Sequence, residues 1–451
     1  MASSIEDSLE KDVQSFHMSH GLKGAISVPG DKSITHRAIL FGLLAHGETT
    51  IDGWLNAADC RSSLHVASLL GASAHVTPDR ITIEGTGGKL AEPFDILDCG
   101  NSGTTMRIFS GVIAPLVPFA CVTGDASLRK RPMDRIILPL REMGANIEAR
   151  GGRYAPFAVR KSTLSGIEYK LPVASAQVKS AILMAGCFAS NKKTTVIEPV
   201  ATRDHTENML GAFGVNVTKS PYSGESLTGS ERLGRGRVIE IEPGQSLVGT
   251  HVIVPGDISS AAFFICAAAI IPDSDILIEN IGLNPERIGL LNVLERMGAH
   301  IQVIRDEIVA GERLGDIRVK SSTLTGTEIE PSEVPSLIDE LPILAVTACM
   351  ARGDTTIRGA KELRFKETDR IHAMAKGLLA IGAHVTELDD GLIIHGTGSL
   401  DGGTVDSFHD HRIAMSFAIA GLVSNSPINI QNWSCVQISF PTFIEVLEKL
   451  Q

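Results

Sequence analysis

The stretch LNVLERMGAHIQV (residues 291–303) reads as an amphipathic helix, stopped by a glycine and followed at once by a strand. Its Leu and Met residues recur at helical spacing, Gly298 suits the position just past a helix end, and the residues after it alternate as a half-buried strand does. The pattern recurs as LHVASLLGASAHV (64–76), LPLREMGANIEA (138–149), ENMLGAFGVNVTK (207–219) and KGLLAIGAHVTEL (376–388). Copies spaced by about 70 to 85 residues describe a domain-scale repeat rather than a thin solenoid.

A second element alternates with the first: an Ala-rich apolar helix, then a strand of Thr, Ile and Val. It appears at residues 33–51, 101–114, 176–197, 258–278, 336–357 and 411–430. Helices apolar on most faces belong in the interior. Six copies of this element and five of the first imply six α/β units, with TFIEVLEKL (442–450) as the sixth amphipathic helix.

Six units exceed one hydrophobic core, so two lobes of three units each are expected, with a cleft between them. The expected boundaries are an N-terminal extension and first strand over 1–23 that pass to the second lobe, a first lobe over 24–246 and a second lobe over 247–451. The Ser220–Arg237 stretch, rich in Ser, Gly and Arg, and the polar EPGQSLVGT (242–250) mark the midpoint.

The 451 residues are 43 % hydrophobic and only 4 % aromatic, with 3 Tyr and 2 Trp, so the core is aliphatic and stacking on nucleic-acid bases is not expected. Against 52 acidic residues stand 41 basic ones, a net charge of −11 that argues against a nucleic-acid or anionic-membrane binder. Seven scattered cysteines form no C-x-x-C pair, which fits reduced thiols in the cytoplasm. No apolar run is long enough to span a bilayer, and the first residues lack the apolar segment of a secretory signal.

A local anion site remains compatible with this charge, and the starts of the buried helices point to one. VPGDKSITHRAIL (28–40) opens as a turn and continues as a helix, placing Lys32, Ser33 and Arg37 over its first turns. Two cations there oppose the helix dipole; taken alone, the stretch reads as solvated charges beside a Ser cap. The other starts carry NSGTTMR (101–107), SAQVK (175–179), Asp339 and DHR (410–412). Between them lie RKRPMDR (129–135), TRDHT (202–206) and FKETDR (365–370). If FKETDR is helical, Lys366 and Arg370 share a face and Glu367 neighbours Arg370; a surface ion-pair ladder explains it as well, as a local Arg203–Asp204 pair would explain TRDHT. The His409-Asp-His411 triplet lacks further metal ligands, and GDKS lacks the upstream glycine of a phosphate-binding loop. Neither a metal nor an organic cofactor is expected. Cations with a few isolated acids suit positioning two anionic substrates and moving protons between them.

The segments PGDKSITHRA, LDCGNSGTTMR, GDASLRKRPMDR, ASAQVKSAILMAG, TRDHTE, IDELPILAV, LRFKETDR and DHRIAMSF occur in this order. Together, over about Gly21 to Pro441, they closely resemble the 5-enolpyruvylshikimate-3-phosphate synthases, and SAQVKSA with RPMDR is similar to the bacterial class II branch. The resemblance implies an α/β, two-lobed enolpyruvyl-transferase fold, each lobe holding three inverted βαβαββ units around buried parallel helices. It also implies transfer of the carboxyvinyl group of phosphoenolpyruvate to the 5-hydroxyl of shikimate 3-phosphate, with release of phosphate, by addition and then elimination.

By position, the resemblance makes Asp339 and Glu367 the acid/base pair and Lys32 a competing candidate for the 5-hydroxyl proton. It assigns Lys32, Ser33, Arg37, Ser175, Gln177, Arg203, Asp339 and Lys366 to shikimate 3-phosphate. It assigns Lys32, Gly103, Thr104, Arg131, Gln177, Arg370 and Arg412 to phosphoenolpyruvate, with His411 bordering the site. Several guanidinium forks suit a carboxylate and a phosphate. Two positions depart from the family: Ala176 replaces the second Ser before the Gln, and no Lys precedes Phe440 and Pro441. Gly103 stands where an Ala in some members hinders the herbicide glyphosate.

The expected partners are these two small molecules, without nucleic acid or membrane, for a monomeric enzyme. The same-fold transferase acting on UDP-N-acetylglucosamine carries a reactive Cys or Asp in a loop whose counterpart here, SLRKRPMDR, lacks the Cys. A noncatalytic anion-binding protein would explain the arginines but not Asp339 and Glu367 among them.

Overall fold

The repeated glycine does what its spacing demands. In the computed structural model, which describes residues 12–222, 236–309 and 311–451, Gly298 has φ +98° and ends the helix Gly289–Arg296. The N–H of Ala299 reaches back to the carbonyl of Leu294 at 2.9 Å, the six-residue closure that satisfies a helix end. Gly71, Gly144, Gly214 and Gly382 also have positive φ. In the same way Ala72 reaches Ala67, Ala145 reaches Leu140, Val215 reaches Leu210 and Ala383 reaches Leu378.

After each of these five stops the chain enters a hairpin, and each hairpin belongs to one of five four-stranded sheets. In the sheet holding Leu97–Asp98, Phe119–Thr123, Tyr154–Arg160 and Asn146–Arg150, the first pair is parallel and the other two are antiparallel. The pattern repeats where Glu328–Ile329, Gly353–Ile357, Gly391–Gly396 and His384–Leu388 pair. The sixth sheet has three strands: Gly403–Asp406 runs parallel to Ile428–Gln431, and the N-terminal strand Val13–Phe16 adds antiparallel to it.

The six apolar helices are Lys32–Leu44, Gly103–Leu116, Ala176–Cys187, Ile258–Ile270, Leu341–Cys349 and His411–Gly421. They are buried nearly all round; every residue of Leu341–Cys349 is buried. The amphipathic partners bury one stripe, as Leu290, Leu291, Val293 and Leu294 do in Gly289–Arg296.

The chain divides into two compact units, each with its own core, mostly aliphatic residues and alanine with several buried phenylalanines. One comprises residues 30–254 with 308–312, and the other comprises residues up to 29, 255–307 and 313–451. Pairing decides the junctions. Strand Lys23–Ser27 runs beside Asp275–Gly282, and His251–Ile253 runs beside Glu48–Asp52. The passages therefore follow Pro29 and Val254, a few residues after the 23 and 246 read from composition. The Ser220–Arg237 stretch is a hairpin connection, since Val217–Pro221 pairs with Arg237–Ile241; its residues 223–235 lie outside the described residues, as do 1–11 of the N-terminal extension. No helix among the described residues is long and apolar enough to cross a membrane.

Candidate active site

In the unit of residues 30–254, side-chain hydrogen bonds tie together the starts of the three buried helices. Lys32 opens its helix and Asp31 caps it, Oδ1 accepting the Ile34 N–H at 2.9 Å. Ser33 lies within the first turn, so the cap is the aspartate and not the serine. Lys32 Nζ lies 3.0 Å from Asp59 Oδ2. Arg37 is buried and each of its three nitrogens donates a hydrogen bond: Nε to Thr206 Oγ1 at 2.7 Å, Nη2 to Ser180 Oγ at 2.8 Å and Nη1 to the Ser33 carbonyl at 3.0 Å. Burial lowers its pKa to about 10, which leaves the guanidinium charged at neutral pH.

Gln177 joins the other two starts. Its Oε1 accepts from Arg107 Nη1 at 2.6 Å, and its Nε2 donates to Thr104 Oγ1 at 3.0 Å. Ser175 and Ser102 cap the two helices through the Val178 and Thr105 N–H groups. Arg131 Nη2 donates to Asn101 Oδ1 at 2.8 Å, and Asn101 Nδ2 to Asp125 Oδ2 at 2.6 Å. Gly103 sits under both arginines: a Cβ there would stand 3.0 Å from Arg107 Nη1 and 3.6 Å from Arg131 Nη1. Behind these residues a buried chain of polar groups runs from His36 Nδ1 to Ser63 Oγ and on to Thr105 Oγ1, 2.7 Å at each link. Burial drives the His36 pKa down to about 3, so its imidazole is neutral. Half-buried Arg203 follows Thr202, just before the helix His205–Ala212, and the neighbouring Asp204 engages Lys219 and Arg237 at 3.3 Å each.

In the other unit the focus is Asp339, in the turn that leads into Leu341–Cys349. Its Oδ1 lies 3.4 Å from Lys366 Nζ and 3.2 Å from Arg370 Nη1. Arg370, with only 1 % of its side chain exposed, also meets Glu367 Oε2 at 2.7 Å and Asp410 Oδ2 at 2.8 Å. Burial works against this guanidinium, but Asp410, Glu367 and Asp339 outweigh it and raise its pKa. Burial lowers the Lys366 pKa, with Asp339 opposing. Arg412 Nη1 donates to the Asp339 carbonyl at 3.0 Å. Asp410 caps His411–Gly421 as well as binding Arg370; His411 is buried in the first turn.

FKETDR is not a helix. A short 3-10 turn covers Lys361–Phe365, Lys366 is extended (φ −81°, ψ −153°), and the α-helix begins at Arg370 behind the Asp369 cap. The extended link still brings Lys366 and Arg370 onto one carboxylate, so the grouping holds although its expected cause does not.

The structure thus collects Lys32, Ser33, Arg37, Gly103, Thr104, Arg131, Ser175, Gln177 and Arg203 in one unit, and Asp339, Lys366, Glu367, Arg370 and Arg412 in the other. It adds Asp59, Arg107 and Asn101, which the sequence reading did not single out. Arg107 and Asn101 lie in a segment already marked. Asp59 sits in an ordinary amphipathic helix, Ala58–Leu69, and nothing local signals it.

The family model described as EPSP synthase (3-phosphoshikimate 1-carboxyvinyltransferase) matches residues 17–447. Relatives named 3-phosphoshikimate 1-carboxyvinyltransferase include one from Bacillus cereus, 46 % identical over 96 % of this chain and 98 % of that protein. One from Desulforudis audaxviator is 48 % identical over 96 % and 97 %. Among solved structures, an EPSP synthase from Acinetobacter baumannii superposes with TM-score 0.84 at 43 % identity, covering 97 % of this chain and 98 % of that one. The enolpyruvyl transferase NikO from Streptomyces tendae superposes with TM-score 0.74 at 17 % identity over 97 % of each chain, a likeness of fold alone. With this match across nearly its whole length, the chain belongs to the EPSP synthase family.

Proposed function

We propose that Asp339, Glu367 and Lys32 handle the protons of the 3-phosphoshikimate 1-carboxyvinyltransferase reaction, and that the arginines of the two units named below hold its two anionic substrates. The chain transfers the carboxyvinyl group of phosphoenolpyruvate to the 5-hydroxyl of shikimate 3-phosphate and releases phosphate. In the addition step the hydroxyl loses its proton while the enol methylene carbon gains one. In the elimination step a proton leaves that carbon and phosphate departs.

The observation that carries the site assignment is the Asp339 carboxylate, held by Lys366 and Arg370 with Glu367 on the same guanidinium. Acids kept among fixed cations stay in place to exchange protons with a bound anion. Lys32, Ser33, Arg37, Ser175, Gln177, Arg203, Asp339 and Lys366 are assigned to shikimate 3-phosphate. Lys32, Gly103, Thr104, Arg131, Gln177, Arg370 and Arg412 are assigned to phosphoenolpyruvate.

The test is phosphate release. It requires both substrates and is unaffected by a chelator; release retained with UDP-N-acetylglucosamine in place of shikimate 3-phosphate overturns the reading. We further take the enzyme to be a cytoplasmic monomer. The free cysteines, nearly all buried, support the compartment, and sedimentation velocity checks the mass.

A further inference from the structure

Lys179 occupies the first turns of Ala176–Cys187 with its side chain entirely out of solvent. Its Nζ lies 3.0 Å from Glu198 Oε2, 2.7 Å from Glu207 Oε1 and 3.4 Å from the Thr202 carbonyl. Both carboxylates are equally buried, and Glu198 Oε1 accepts the Thr202 hydroxyl. Such a cluster is a poor device for stability, because removing its charges from water offsets most of their attraction. A well-packed apolar trio would hold the same space as firmly.

What the cluster does is restrain two neighbours of the site. Thr202, gripped through both its carbonyl and its hydroxyl, is the residue directly before Arg203. Glu207 directly follows Thr206, whose hydroxyl receives Arg37 Nε at 2.7 Å and pairs with Ser180 Oγ at 2.6 Å. Ser180, next to Lys179, takes the other arm of Arg37 at 2.8 Å. Lys179 and Arg37 also balance Glu198 and Glu207, two buried cations against two buried anions.

We infer that Lys179, together with Glu198, is a positioning residue for shikimate 3-phosphate, aiming Arg203 through Thr202 and Arg37 through Thr206 and Ser180. The inference rests on the assignment of Arg37 and Arg203 to that substrate. Guanidinium forks recognise a phosphate by direction as well as charge, so a displaced fork loses affinity while keeping its charge. Phosphoenolpyruvate, assigned to other arginines, is not served by the cluster.

The experiment is a charge-balanced double variant, Lys179→Met with Glu198→Leu, studied as the full chain. Calorimetric titration with shikimate 3-phosphate alone is expected to show affinity weakened at least about tenfold. The KM for phosphoenolpyruvate at saturating shikimate 3-phosphate is expected to change by less than about threefold, with cooperative thermal unfolding retained. A role in folding alone would shift the melting temperature and leave this split absent. A folded double variant with wild-type affinity overturns the inference. If that protein does not fold, Thr202→Val, which keeps every charge, decides: about three- to tenfold weaker binding supports the inference and unchanged binding overturns it. A wild-type chain that binds no shikimate 3-phosphate overturns the underlying function along with it.

Discussion

The ammonium of Lys32 is held 3.0 Å from the carboxylate of Asp59, a residue 27 positions away on a different helix. A lysine stem has four rotatable bonds, and a partly buried carboxylate confines its end to one place. Asp59→Asn is therefore expected to lower kcat/KM by about tenfold while the fold persists, since one charge-assisted bond is worth about 1.5–3 kcal/mol. Lys32→Met is expected to go further and abolish turnover; a folded Lys32→Met protein at full rate would show that the lysine is not part of the chemistry. Steady-state kinetics beside circular dichroism checks both.

Asp339→Asn and Glu367→Gln keep the shape of each side chain and remove its proton chemistry. Each is expected to lower kcat by about 10²–10⁴-fold, the usual contribution of general acid–base catalysis. Single-turnover measurement of the enolpyruvyl product checks this, and a loss confined to KM would reassign the residue to binding.

At Gly103 the space for a methyl group is bounded by the ends of Arg107 and Arg131, at 3.0 and 3.6 Å. Arg107 is tied to Gln177 and Arg131 to Asn101, so neither yields without disturbing a hydrogen bond. Gly103→Ala is expected to raise the KM for phosphoenolpyruvate by about tenfold, with a smaller effect on shikimate 3-phosphate. Because Gly103 puts no methyl group beside these arginines, glyphosate is expected to inhibit the wild-type protein in competition with phosphoenolpyruvate and the alanine variant less. Indifference of the wild type at millimolar inhibitor would refute this.

His36 gives stability a pH dependence. Burial lowers its pKa from 6.5 to about 3, so between these values the unfolded chain binds a proton that the folded chain refuses. The contribution is fully present above pH 6.5 and is lost progressively as pH falls toward about 3. His36→Gln is expected to flatten the dependence of unfolding free energy on pH between about 6 and 4, by up to about 1.4 kcal/mol per pH unit. Urea denaturation at a series of pH values checks it; an unchanged slope would mean that His36 titrates normally.

Arg370 is surrounded by Asp339, Glu367 and Asp410, two of them nearly or fully buried. Arg370→Met leaves these carboxylates without their common cation, and a destabilisation of about 3–5 kcal/mol is expected. A lowered urea midpoint at neutral pH, partly recovered in an Arg370→Met/Asp410→Asn protein, is the corresponding measurement.

Much of the architecture was legible along the chain because its causes are local. A glycine placed after a helical stripe ends the helix wherever the chain later goes, and six helices apolar on most faces have no stable place but the interior. From this followed the count of units and the grouping of cations at helix starts. Motifs such as SAQVK and FKETDR also placed most candidate site residues within a few positions of one another. The pairings were another matter. Arg37 meets Thr206 across 169 positions, Arg370 meets Asp410 across 40, and Lys366 and Arg370 share Asp339 because the chain at Lys366 is extended rather than helical. Such partners depend on how successive repeats stack, and no local periodicity encodes that. The sequence by itself therefore determined the elements and the inventory of charge. Only the tertiary structure decided which carboxylate holds which cation, because that choice depends on distances fixed by packing between residues far apart in the chain.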